Sequence, residues 1–259
     1  MINKNPIGLF DSGIGGTSIW KEVHALMPYE NTIYLADSKN APYGLKSKDE
    51  IIALSCKNTE FLLENNCKII VVACNTATTN AIKELRAKYN VPFIGIEPAI
   101  KPAALQSKTQ TIGILATKGT LNSELFHKNV ANHPDVKIIE QIGHGLVQLI
   151  ENGDMDSAEM EELLKSYLNP MVEKNIDYLV LGCSHYPYLI PQIKKIIPSQ
   201  IKIIDSGEAV AKQTQKILEQ NNLLNLSKRK SSQIFYTNSE PEVLKNILGN
   251  CENVIYKNF

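Results

Sequence analysis

Neither sign of charge prevails in this chain, which carries 27 Lys plus Arg against 27 Asp plus Glu over 259 residues. With no basic excess, a nucleic-acid polyanion is not the expected partner. The one short basic run, Lys228-Arg-Lys230, reads as a solvated loop. Long apolar runs are lacking as well. No stretch reaches bilayer-spanning length, and the charged start has neither an apolar h-region nor a small-residue cleavage site. The expected setting is therefore the cytoplasm, with no membrane partner. Cys-x-x-Cys pairs are missing, so the five cysteines (Cys56, Cys67, Cys74, Cys183 and Cys251) are expected to remain thiols rather than build a disulfide framework. Cys183 and His185 are closely spaced but have no further ligands nearby, and no structural zinc is expected.

What is present is an apolar share of 43% in a chain longer than one core usually supports. Two α/β domains or one large one are the options. Short Ile/Val-rich runs alternate with segments of helical period, the pattern of parallel strands joined by crossover helices. The candidate strands are 7–10, 69–73, 93–96, 111–115, 137–140, 178–181 and 202–204. A helix is expected over 18–27, with Ile19, Val23, Leu26 and Met27 on one face. Another is expected to begin at Asp156, with Glu159 as its capping-box partner.

The pattern repeats. Ile7-Gly-Leu-Phe-Asp-Ser-Gly13 parallels Ile112-Gly-Ile-Leu-Ala-Thr-Lys118 at an offset of 105 residues. The segment 69–76, ending Ala-Cys-Asn-Thr, parallels 178–185, ending Gly-Cys-Ser-His, at 109; 91–98 parallels 201–208 at 110. Three parallels in one order at a nearly constant offset imply two similar α/β domains with a break near residue 98. The competing account, that all parallel α/β strands look alike, leaves the cysteines unexplained. The repeat puts Cys74 and Cys183 at matched strand ends, and ligands bind outside the carboxyl ends of strands in open α/β sheets.

Domains packed with those ends facing would put one thiol on each side of a shared cleft. Opposed thiols suit removal of a proton from one face of a carbon and its return to the other, with one cysteine as thiolate base and the other as thiol acid. Because the α-proton of an amino acid is weakly acidic, nearby groups must hold protons and stabilise developing charge. Asp11, directly after the first strand, and His185, two residues beyond Cys183, are the candidates. Gly13-Ile-Gly-Gly16 leads into a helix and can offer backbone N–H groups to an anion. Ser12, Asn75, Thr76 and Ser184 add small polar groups. Each has a plainer reading: a strand-end cysteine as a small buried hydrophobe, Asp11 as a turn or helix cap, His185 as a structural histidine. His24, His127, His133 and His144 lack such a setting, and Cys56, Cys67 and Cys251 read as packing residues.

Four motifs, Gly8-Leu-Phe-Asp-Ser-Gly-Ile-Gly-Gly16, Ala41-Pro-Tyr-Gly44, Val72-Ala-Cys-Asn-Thr-Ala77 and Leu181-Gly-Cys-Ser-His-Tyr-Pro187, together closely resemble bacterial glutamate racemases. The match runs in order from about residue 7 to about residue 208. It implies a racemase needing neither pyridoxal phosphate nor metal, with the small-molecule substrate between two α/β domains. The family also returns its C-terminal segment to the first domain, which gives domains of 1–98 plus 208–259 and 99–207. By resemblance, Cys74 acts on D-glutamate with Asp11, and Cys183 acts on L-glutamate with His185. Glu151 occupies a position similar to a glutamate near the second cysteine. Asp11, Ser12, Tyr43, Gly44, Asn75, Thr76, Ser184 and His185 would bind substrate, with Thr117 and Thr120 as further candidates. D-glutamate for peptidoglycan would be the product, and family members are often dimers. Ser184 stands where the family usually has Thr, and Asn40 where many members have Arg. The long N-terminal extension of precursor-activated members is not seen, so such activation is not expected.

Aspartate racemases share the two-cysteine logic, but they tend to carry His shortly after the first Cys-Asn-Thr and an acidic residue after the second Cys-Thr. Thr78 and His185 occupy those places here. A thiol hydrolase using Cys183 and His185 would not need Cys74. A regulator that binds an acidic amino acid without turning it over is the reading outside enzymology.

Overall fold

The computed structural model describes residues 3–227, 229–250 and 253–259; Lys228 and Cys251, read above as loop and packing residues, lie outside them. Ten strands are present among the described residues: β1 (Ile7–Asp11), β2 (Thr32–Ala36), β3 (Ile69–Val72), β4 (Phe93–Gly95), β5 (Thr111–Ala116), β6 (Lys137–Ile142), β7 (Tyr178–Gly182), β8 (Lys202–Ile204), β9 (Gln233–Thr237) and β10 (Val254–Tyr256). They form two all-parallel sheets, ordered β10-β9-β2-β1-β3-β4 and β6-β5-β7-β8. Central strands such as β1, β3 and β7 are buried along their whole length, as helices covering both faces require, and so appear in the sequence as apolar runs, broken in β1 only by its last residue, Asp11. No helix among the described residues is long and apolar enough to cross a membrane.

The duplication is visible in the topology. The order β2-β1-β3-β4 in the first sheet recurs as β6-β5-β7-β8 in the second. Phe10 pairs with Val72 at the end of β1 and β3, and Ala116 with Gly182 at the end of β5 and β7. Cys74 lies two residues beyond the first of these paired ends, and Cys183 one residue beyond the second.

Three strands were not expected from sequence. In β2 the aliphatic run is broken by Thr32 and Tyr34, whose polar atoms are satisfied inside the fold: Trp20 Nε1 donates to Thr32 Oγ1 (3.0 Å) and Tyr34 Oη to the Gly13 carbonyl (2.8 Å). The other two, β9 and β10, extend the first sheet from the C-terminal segment. The helix expected at Asp156 is Ala158–Glu173, and its cap is Ser157, whose hydroxyl accepts the Met160 N–H. Asp156 accepts instead from Gln192 Nε2 (2.6 Å). A reciprocal capping box is formed by Ser47 and Glu50 at the start of Lys48–Glu64.

The helix Gly207–Gln220 packs against Thr17–Leu26, carrying the chain from the second sheet back to the first. There Glu30 receives the Asn225 N–H on Oε1 (2.6 Å) and Lys68 Nζ on Oε2 (2.6 Å), both charged side chains being 2% exposed. Removing one member of a buried, hydrogen-bonded ion pair leaves the other charge uncompensated. Glu30→Ala is therefore expected to cost about 3–5 kcal/mol of stability, read as a lowered denaturation midpoint.

Candidate active site

Cys74 is the N-cap of the helix Asn75–Lys88, where the Ala77 N–H points at its sulfur (3.4 Å) and its own thiol faces Ser12 Oγ (3.6 Å). Cys183 directly follows β7 and opens the turn into Tyr186–Leu189, its carbonyl accepting the Tyr186 N–H. Cys74 and Cys183 line one small cavity. Ser12, Tyr43, Gly44, Asn75 and Thr76 contribute to its wall from the first sheet's loops, and Thr117, Ser184 and His185 from the second's. Pro42 and Val147 line it too and were not among the expected site residues, because apolar side chains in a loop or on a helix carry no chemical signature. Asp11 and Thr120 are fully buried behind the wall, and Glu151 stands behind His185.

Asn75 is 2% exposed and lines the cavity, yet neither its Oδ1 nor its Nδ2 has a hydrogen-bond partner among the described residues. Buried polar groups are normally paired, so this amide has the capacity to bind a polar ligand. Thr76, Thr117 and Thr120 form a closed set of hydroxyl contacts (2.7, 3.2 and 3.0 Å) that joins the two sheets' loops. Tyr43 is held by Asp37, whose carboxylate takes the tyrosine hydroxyl (2.5 Å), Asn40 Nδ2 (2.8 Å) and Asn238 Nδ2 (2.5 Å). Asn40 thus acts locally as a donor to Asp37.

The two thiols have different neighbours. Beside Cys183, His185 places Nδ1 at 3.7 Å from the sulfur and Nε2 at 2.5 Å from Glu151 Oε1. Burial disfavours charge on this imidazole, but its bonds to Cys183 and Glu151 outweigh that and raise it well above its ordinary range. Beside Cys74 stands Asp11, fully buried, whose Oδ2 accepts the Gly16 N–H (2.7 Å) and which Ser184 Oγ approaches at 3.3 Å. Burial raises the Asp11 carboxyl, partly countered by His185 and the Gly16 N–H. The Cys74 thiol is pushed well above its usual range, by burial first and by the Asp11 charge next. The repeat does not relate these partners to each other. At the offsets of 105 and 109, Asp11 corresponds to Ala116 and His185 to Thr76.

The N–H groups of the Gly13–Gly16 loop do bind anions, but the chain's own: Ile14 donates to Glu151 Oε1 (2.7 Å) and Gly16 to Asp11. The loop's glycines fit around the second sheet's side chains. A Cβ on Gly13 would lie 1.9 Å from Glu151 Oε1, and one on Gly15 2.2 Å from His185 Nδ1. Of the remaining cysteines, Cys67 is buried below Gly8 with its thiol pushed up to about 12 by burial, and Cys56 is half-buried in a helix.

A cavity with a thiol from each of two repeated strand ends, one beside an imidazole–carboxylate pair and one beside a carboxyl, is equipped to move a proton across a small acid. The model of the Asp/Glu/Hydantoin racemase family matches residues 17–214. The chain belongs to that family. It is an amino-acid racemase, an isomerase. A glutamate racemase of Herpetosiphon aurantiacus is 43% identical over 237 residues, covering 91% of this chain and 93% of the relative. Among solved structures, a glutamate racemase isoform of Bacillus anthracis superposes with a TM-score of 0.89 at 30% identity, over 99% of this chain and 98% of that one. The glutamate racemase of Francisella tularensis, solved in complex with D-glutamate, gives 0.84 at 30% identity over 98% of both chains. This racemase shares its two-sheet architecture with both.

Proposed function

We propose that the protein interconverts L- and D-glutamate by a two-base proton transfer at the α-carbon, with Cys74 and Cys183 as the two bases. The observation that carries this reading is the pair of thiols, from matched strand ends, on the wall of one small cavity. The D-glutamate held by the Francisella tularensis relative supports the choice of substrate. In the L-to-D direction the Cys183 thiolate takes the α-proton, the C–H electron pair passes to the α-carbon, and the Cys74 thiol delivers its proton to the opposite face. In the reverse direction the roles exchange. His185, oriented by Glu151, holds or moves the proton at Cys183, and Asp11 does so at Cys74. Ser12, Tyr43, Gly44, Asn75, Thr76, Thr117 and Ser184 bind the carboxylates and amine, with Thr120 supporting the threonines from behind. No cofactor or metal takes part.

We place residues 1–98 with 208–259 in one domain and 99–207 in the other, with substrate between them. D-glutamate made in the cytoplasm would serve peptidoglycan synthesis. The test is turnover of L-glutamate followed by circular dichroism without pyridoxal phosphate and with a chelator, beside L-aspartate. Since one methylene is worth about 1–3 kcal/mol, glutamate is expected to be preferred by about tenfold or more. Faster turnover of aspartate would make this an aspartate racemase, and binding without turnover would make it a regulator.

A further inference from the structure

Glu151 comes from the helix Leu146–Asn152, next to the second sheet, yet two of its three bonds come from the loops of the first. Its Oε1 receives the Ile14 N–H (2.7 Å) as well as His185 Nε2 (2.5 Å). Its Oε2 receives the hydroxyl of Ser38 (2.8 Å), a half-buried residue outside the cavity wall. We infer that Ser38 is a positioning residue for the proton transfer at Cys183, acting through Glu151 and His185. The inference rests on the racemase mechanism proposed above.

The terminal torsion of a glutamate is broad, so a carboxylate bonded through one oxygen leaves its plane loosely defined. A second bond on Oε2 fixes that plane, and with it the imidazole whose Nδ1 faces the Cys183 sulfur at 3.7 Å. Ser38 is itself well anchored. It follows the buried Asp37, which takes Tyr43, Asn40 and Asn238, and Asn238 Oδ1 also receives the Lys39 N–H (2.9 Å). The turn that brings Tyr43 and Gly44 to the cavity therefore also orients the acid–base pair on the opposite wall. The other thiol depends on this arrangement less: the shortest bond to Asp11, 2.7 Å, comes from Gly16 of its own loop.

A device that serves one face leaves an asymmetric kinetic signature. The equilibrium constant between enantiomers is one, so kcat/KM must fall equally in both directions. The step that limits each direction need not change equally. Loss of a hydrogen bond to a charged group predicts that Ser38→Ala lowers kcat/KM by about tenfold. The primary isotope effect with α-deuterated L-glutamate, deprotonated by Cys183, should rise, and that with α-deuterated D-glutamate should fall. Ser38→Thr, which keeps the hydroxyl, should restore both. In a Glu151→Gln background, Ser38→Ala should cause little further loss.

Thermal melts of each variant establish that it is folded. Unchanged kinetics in Ser38→Ala, isotope effects that shift together in both directions, or a full tenfold loss in the Glu151→Gln background would overturn the inference while leaving the racemase reading standing. Failure of the unaltered protein to racemise glutamate would remove both.

Discussion

Cys74→Ser and Cys183→Ser are each expected to lower turnover of both L- and D-glutamate by about 1000-fold, within the range typical for loss of a positioned acid or base. The side chains are nearly the same size, and both positions are buried at strand ends, so the fold should persist. What changes is the acidity. A serine hydroxyl beside a carboxyl or an imidazolium is a far poorer proton donor or acceptor than a thiol at the same atom. Each enantiomer needs both groups, one to remove the proton and one to deliver it, and either substitution must therefore slow both directions. Steady-state polarimetry checks this. A thiol hydrolase working through Cys183 and His185 would tolerate Cys74→Ser, so the Cys74 variant separates the two chemistries.

Gly15→Ala is expected to lower kcat/KM by about 100-fold, the scale on which small misplacements act. A methyl here would lie 2.2 Å from His185 Nδ1 and 2.4 Å from its Cγ. The ring cannot easily yield, being 1% exposed and tied to Glu151 at 2.5 Å. Displacing it takes Nδ1 away from the Cys183 sulfur. Gly44→Ala is a comparison at the cavity wall, where the added carbon would meet the Thr117 Cβ at 3.0 Å, a far smaller overlap than that at Gly15. Kinetics of the two variants, with melting curves to show that both are folded, test whether the Gly15 loop shapes the His185 side of the cavity.

Much of this architecture is legible in the sequence because its signals are local. The Ile/Val runs that become β1, β3, β5 and β7 are buried on both faces, and small residues follow them, so strands and strand ends stand out. The two-sheet repeat could be read from three parallel segments. Cys74 and Cys183 could be singled out because each follows such a run. The sequence is silent where partners meet only through tertiary packing. β2 hides behind Thr32 and Tyr34, whose polar atoms are satisfied from elsewhere, and β9 and β10 lack any motif. The clasp of Glu30, Lys68 and Asn225 joins positions as far as 195 residues apart. Ser38 meets Glu151 across 113 residues, and nothing in its neighbourhood marks it. Even Gly13–Gly16, read as a loop offering N–H groups to an anion, gave no sign that Glu151 and Asp11 are the anions it receives.

The two-base account is tested most directly by the fate of deuterium. Purified protein is given L-glutamate in D2O, and the α-proton is followed by NMR at early times with the enantiomers separated. If Cys183 removes the proton and Cys74 delivers one from solvent, the D-glutamate formed carries deuterium while the remaining L-glutamate keeps its protium. Deuterium appearing equally in both enantiomers from the outset would contradict two opposed bases, and no exchange at all, in protein shown to be folded and reduced, would contradict the racemisation itself.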